Sequence, residues 1–118
     1  MKLPPPTPRG WTALDTCIRQ HDPHCRGVLL LGLEASEEQL WDAFRDAAEQ
    51  PLCKGFAVGR TLFATAAQGW FEGSLDDSAV VADIATRYQR LMRMWLQARG
   101  APSLPAAPMS VASLEKPL

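Results

Sequence analysis

The chain has 118 residues, 47% of them apolar, with a formal net charge of −1 and a pI near 6.1. That length suits one ordinary domain. The near-neutral balance supplies no basic face for nucleic acid. The longest apolar run, Val28 to Leu33, is too short to cross a bilayer.

The start, Met1-Lys2-Leu3-Pro4-Pro5-Pro6, lacks the apolar segment of a signal peptide, so export is not indicated. Residues 1–10 hold four prolines and few large apolar residues, and read as a disordered lead-in. Trp11, Leu14, Cys17 and Ile18 then recur at helical spacing, giving an amphipathic helix from Trp11 to Gln20. Asp22-Pro23 stops it, because a residue before proline avoids the α region. Gly27 to Leu33 is a continuous apolar run without alternation, the pattern of a parallel strand covered on both faces.

Ser36 opens the next helix. Ser36 and Gln39 form a capping box, and Glu37 and Glu38 sit at the positive end of the helix dipole. Leu40, Trp41, Phe44, Ala47 and Ala48 make its apolar stripe. Leu52 to Val58 reads as a second strand. Thr61 to Phe71 follows as a short helix with Phe63, Ala66, Ala67 and Trp70 on one face. Asp76 or Asp77 caps a long helix to about Ala98, with Val80, Val81, Ile84, Tyr88, Leu91, Met92 and Trp95 inward. Gly100 closes that helix and begins a Pro/Ala/Ser-rich tail to Leu118, read as disordered. The expected fold class is α/β, with two parallel strands and about four helices. Two parallel strands leave unpaired edges, so the chain reads as part of a larger α/β domain.

The chemistry centres on Lys54-Gly55-Phe56-Ala57-Val58-Gly59-Arg60-Thr61, a strand running directly into a helix. The first N–H groups of a helix lack internal partners and carry partial positive charge, which suits an anion. Gly59 permits close backbone approach, and Arg60 offers a forked, permanently charged donor. The alternative is a plain strand-to-helix turn with Arg60 in a structural salt bridge.

Two stretches resemble a known family. Asp22-Pro23-His24-Cys25-Arg26-Gly27-Val28-Leu29-Leu30-Leu31-Gly32-Leu33-Glu34-Ala35 and Lys54-Gly55-Phe56-Ala57-Val58-Gly59-Arg60-Thr61-Leu62-Phe63 resemble the last part of a bacterial domain fused behind the sugar kinase 5-dehydro-2-deoxygluconokinase of myo-inositol catabolism. That domain is similar to the tagatose-bisphosphate type of class I aldolase, a (β/α)8 barrel. The resemblance covers Trp11 to Ala98. It implies that the two strands are the seventh and eighth of a partial TIM-barrel-like fragment spanning residues 11–99. Barrel enzymes often seat a phosphate on the loops after those strands, at the start of a short extra helix, and Thr61 to Phe71 matches that helix.

By the same resemblance, phosphate-binding residues are Gly32, Gly55, Gly59, Arg60 and Thr61, with Glu34 and Lys54 as further ligand contacts. The ligand implied is a phosphorylated sugar acid, 2-deoxy-5-keto-gluconate 6-phosphate. The kinase domain and the six earlier strands have no counterpart here. A class I aldolase needs a Schiff-base lysine on an earlier strand, and Lys54 does not match it. The fragment is therefore expected to be inactive alone, and no catalytic residue is assigned. The rival readings are an interaction module completing a split barrel with a partner chain, and a small free-standing phosphate-binding α/β protein.

Lys54 also reads simply as a strand-end lysine reaching solvent. His21, His24 and Cys25 lack a zinc spacing, so no metal and no cofactor are expected. Cys17, Cys25 and Cys53, odd in number and irregularly spaced, read as reduced thiols of a cytoplasmic protein. Trp41, Phe44, Trp70, Tyr88 and Trp95 read as core. In a fragment some of them would lose neighbours and form an exposed apolar patch, favouring a homo-oligomer or a complementing barrel chain. Neither nucleic acid nor membrane is expected as a partner.

Overall fold

A computed structural model of the chain describes residues 1–100; the tail expected beyond Gly100 lies outside the described residues. The fold is α/β. In chain order it runs β1 (Lys2–Leu3), α1 (Pro8–His21), β2 (Val28–Leu31), α2 (Glu37–Asp46), β3 (Cys53–Ala57), α3 (Arg60–Phe71) and α4 (Asp77–Ala98). The strands form one parallel sheet in the order β1-β2-β3.

The third strand corrects the expectation of two strands and a disordered lead-in. Lys2 pairs with Leu29 and Leu3 with Leu30. The Leu29 amide donates to the Met1 carbonyl at 2.8 Å, and the Met1 amino group donates to the Gly27 carbonyl at 3.0 Å. Leu3 packs against the core, so one apolar side chain and an open edge of β2 suffice to order the segment. The prolines only bridge it to α1. Thr7 caps that helix, its side chain accepting from the Gly10 amide at 3.1 Å, and Pro8 stands where a missing N–H is harmless.

The sheet is covered on one face. Val28 and Leu30 of β2 are buried, and they share a core with Trp11 and Ile18 of α1, Leu40, Ala43 and Phe44 of α2, Leu62 of α3 and Leu91 of α4. Phe44 sits at its centre, with its ring 5.1 Å from Phe56 and 5.3 Å, edge-on, from Trp95. The alternate positions Leu29, Leu31, Gly55 and Ala57 lie on the opposite face; all are half-buried and none joins the core. The expectation of a strand covered on both faces therefore fails: β2 alternates buried and half-buried as one-sided strands do.

Helix starts follow local chemistry. The Ser36–Gln39 capping box forms reciprocally, at 3.2 and 2.9 Å. Asp76 caps α4, accepting from Ala79 at 2.8 Å. Gly100 terminates α4 with φ +66, a value that favours glycine. Helix faces depart further from expectation. Cys17 points to solvent on α1. In α3 the buried residues are Leu62 and Ala66, while Phe63 and Trp70 are exposed; Tyr88 of α4 is exposed too. No helix among the described residues is long and apolar enough to cross a membrane.

Candidate functional site

The loop after β2 and the start of α3 meet at the C-terminal edge of the sheet. Gly32 continues the β2 ladder, its amide donating to Ala57 at 3.3 Å. The chain then turns sharply. Leu33 and Glu34 have φ of +47 and +66, and the Ala35 amide closes the turn on the Gly32 carbonyl at 2.9 Å. Two successive positive φ values are the signature of a type I′ turn, normally filled by Asn and Gly. Held by leucine and glutamate, each costs about 1–2 kcal/mol.

That strained turn sets Glu34 against the first residue of α3. Arg60 Nη1 donates to Glu34 Oε1 at 2.6 Å, and Thr61 Oγ1 donates to the Ala35 carbonyl at 3.1 Å. Glu34, Ala35, Arg60, Thr61, Ala64 and Thr65 line a shallow cavity of about 290 Å³. Gly59 is the N-cap of α3 and supplies no side-chain cap. Its carbonyl takes the Leu62 and Phe63 amides at 2.8 and 3.2 Å, whereas the Arg60 and Thr61 amides, as first-turn groups, have no carbonyl within the helix. The corner therefore offers two backbone donors, the positive end of a helix dipole and one guanidinium.

The ion pair is weakly held. The Arg60 and Glu34 side chains are 60% and 66% exposed. Exposed pairs contribute at most about 1 kcal/mol, so exchanging the carboxylate for another anion costs little.

The remaining expected site residues lie elsewhere. A Cβ on Gly32 would stand 3.0 Å from both Val58 methyl carbons, so this glycine serves close packing between the ends of β2 and β3. Gly55 sits in mid-strand on the half-buried sheet face opposite the core, where its missing side chain makes room for Leu29. Neither lines the cavity. Lys54 is at the opposite end of β3 from Arg60. It is the extra residue of a bulge, since Val28 pairs with Cys53 and Leu29 with Gly55. Its stem lies over Gly27, where a Cβ would collide with Lys54 Cγ. The structure thus gathers Gly59, Arg60, Thr61 and Glu34 and leaves out Gly32, Gly55 and Lys54. Ala64 and Thr65 also line the cavity and carry no motif of their own. Their signal was the helical spacing from Arg60 and Thr61, which places them one turn further along the same face.

The three cysteines are free. Cys53 is buried, and burial pushes its thiol up from the ordinary range despite the neighbouring Arg99. Arg99 stacks 4.4 Å from the Trp95 ring centroid and donates to the Cys53 carbonyl at 2.5 Å, tying the end of α4 to the start of β3.

A family model described as an uncharacterized protein conserved in bacteria (DUF2090) matches residues 1–99. The chain belongs to the DUF2090 family. No curated protein and no solved structure matches it. The DUF2090 match begins before β1 and ends just after α4, so β1 lies within the family region.

Proposed function

We propose that this DUF2090 chain is the phosphate-binding corner of an aldolase-like barrel domain of the kind fused to 5-dehydro-2-deoxygluconokinase, and that it binds the phosphate of a sugar acid such as 2-deoxy-5-keto-gluconate 6-phosphate. The observation that carries this is the uncapped first turn of α3, with Arg60 projecting beside it at the C-terminal edge of a parallel sheet. The phosphate would take the Arg60 and Thr61 amides and the Arg60 guanidinium, displacing the Glu34 carboxylate. The Thr61–Ala35 hydrogen bond would hold the turn in place. Chemistry is not assigned to this chain, because Lys54 stands at the far end of β3. A cytoplasmic location suits the three free thiols.

Thermal melting with added sugar phosphate tests the reading. Stabilisation should grow as RT ln(1 + [L]/Kd). Arg60→Ala should weaken binding by about 1.5–3 kcal/mol, the scale of a charge-assisted hydrogen bond. A wild-type chain whose melting ignores both the sugar phosphate and inorganic phosphate would reject it.

A second reading is favoured by the half-buried face of the sheet opposite the core. Large Leu29 and Leu31 on β2 stand beside small Gly55 and Ala57 on β3. Barrel interiors are filled in layers from alternate strands, so this large-beside-small pattern suits a chain that completes a split barrel with a partner. Co-purification of a chain supplying further βα units would support it.

A further inference from the structure

Helix α3 has an outer face unlike that of a surface helix. Of its 12 residues only Arg60 is charged, although the helix lies at the periphery. Leu62, Ala66 and Gly69 face inward, the last two turns closing on Leu75, whose side chain lies 2.7 Å from where a Gly69 Cβ would be. Helical geometry puts Phe63, Ala64, Ala67, Trp70 and Phe71 on the outward arc. Phe63 is 45% exposed, Trp70 48% and Phe71 80%. The Trp70 and Phe71 rings contact each other edge-on at 5.1 Å, and Trp70 Nε1 donates to Asp77 Oδ1 at 2.8 Å, which fixes the pair in place. Thr65 and Gln68 interrupt this outward side, yet three exposed rings on one short helix leave a contiguous apolar patch of the kind that marks an interaction site.

We propose that a second copy of this chain covers the outer face of α3, the two α3 helices packing antiparallel across a two-fold axis near Ala67. The reason for choosing a second copy is the size pattern along the arc. Phe63 lies one turn before Ala67, and Trp70 and Phe71 one turn after it. Large, small and large side chains therefore read alike from either end. Antiparallel pairing sets Phe63 of one copy beside Trp70 and Phe71 of the other, and the small Ala67 lets the helix axes approach to roughly 8 Å. Such self-complementarity is the condition for a two-fold interface.

The area sets the strength. At about 150–250 Å² per aromatic side chain, these exposures leave roughly 350 Å² of bare ring surface per copy. Two copies bury roughly 700 Å² of ring surface, below the ~1,000 Å² of a stable specific interface and in the range of transient contacts. The dimer is accordingly a weak one. None of the three rings lines the cavity beside Arg60, and only Ala64 borders both surfaces.

Sedimentation of the full chain from roughly 5 to 500 micromolar should show a monomer converting to a dimer in the micromolar range. Phe71→Glu should weaken that dimer at least about tenfold, on the scale of losing one anchoring aromatic, while leaving the melting of dilute monomer unchanged. In a background with the native thiols replaced by serine or alanine, Ala67→Cys should form a symmetric disulfide dimer under mild oxidation, faster than Ser78→Cys. A chain that stays monomeric throughout overturns the proposal. So does a dimer that Phe71→Glu leaves intact, or cross-linking no faster at position 67 than at 78.

Discussion

Arg60 and Glu34 are 26 residues apart in sequence and 2.6 Å apart in space, joined across the C-terminal edge of the sheet while both remain mostly exposed. The pair links the β2–α2 turn to the start of α3 without contributing much to folding. Its value lies in being breakable.

From this, Arg60→Ala and Glu34→Gln should each change stability by no more than about 1 kcal/mol. Their effects on anion binding should oppose each other. Arg60→Ala removes the guanidinium and weakens phosphate binding, whereas Glu34→Gln removes the competing carboxylate and strengthens it. Calorimetric titration of both variants against the sugar phosphate checks this. Equal weakening by both would mean that Glu34 holds Arg60 in its binding pose.

The turn residue Leu33 offers a clean stability test. It is exposed and has positive φ, so its side chain gains little burial for its strain. Leu33→Gly should stabilise the chain by about 1 kcal/mol, since glycine adopts this conformation freely. Chemical denaturation should show a higher midpoint with an unchanged slope. A lower midpoint would show that Leu33 is held by packing worth more than the strain.

Phe44 should be the costliest single truncation in the core. It touches Phe56 and Trp95 and has no exposed surface. Phe44→Ala is expected to cost about 3–5 kcal/mol. That is a large part of the total for a domain of this size, roughly 5–15 kcal/mol, so the variant should melt far earlier or lose cooperative melting.

Cys53 predicts the alkaline limb of stability. Burial holds its thiol protonated beyond the usual range, so its folded-state pKa lies above the unfolded value of about 8.5. The unfolded chain then loses this proton first. The contribution is fully present below about pH 8.5 and declines as pH rises toward and through the folded-state pKa. Cys53→Ala should flatten that decline when melts from neutral to alkaline pH are compared, although it lowers the melting point at every pH by opening a small cavity. Thiol labelling should follow exposure, with Cys17 fast, Cys25 slower and Cys53 modified only on unfolding.

Much of the architecture is legible in the sequence because it rests on local signals. The Ser36–Gln39 box, the Asp76 cap and the glycine at position 100 mark helix ends through their own chemistry. β1 was hidden because two residues behind a run of prolines carry no strand signal; they are a strand only because β2 has an open edge. The Thr7-Pro8 pair was readable as a helix start and shows that α1 begins before Trp11. The facing of α3 was not decidable from periodicity. With Leu62, Phe63, Ala66, Ala67 and Trp70 all apolar, two stripes compete, and packing against α4 selects the one with the smaller side chains. At the site, Arg60 and Thr61 followed from the strand-to-helix junction. The positive φ values of Leu33 and Glu34 run against the preferences of both residues, so no local reading reveals the turn that aims Glu34.

The bulge at Lys54 bears on how the open edge of the sheet resists pairing with another strand. β3 is an outer strand, and an outer strand is an open template for any passing extended chain. The extra residue interrupts the even spacing of that template, and it does so with a solvated positive charge. Only Gly55 to Ala57 remain as a regular edge, too short to recruit a strand without supporting side-chain contacts. The bulge thus keeps the outer edge from pairing along its whole length. The same economy means that replacing Lys54 with a β-branched apolar residue would remove the guard, turning a selective edge into one prone to fibrous growth.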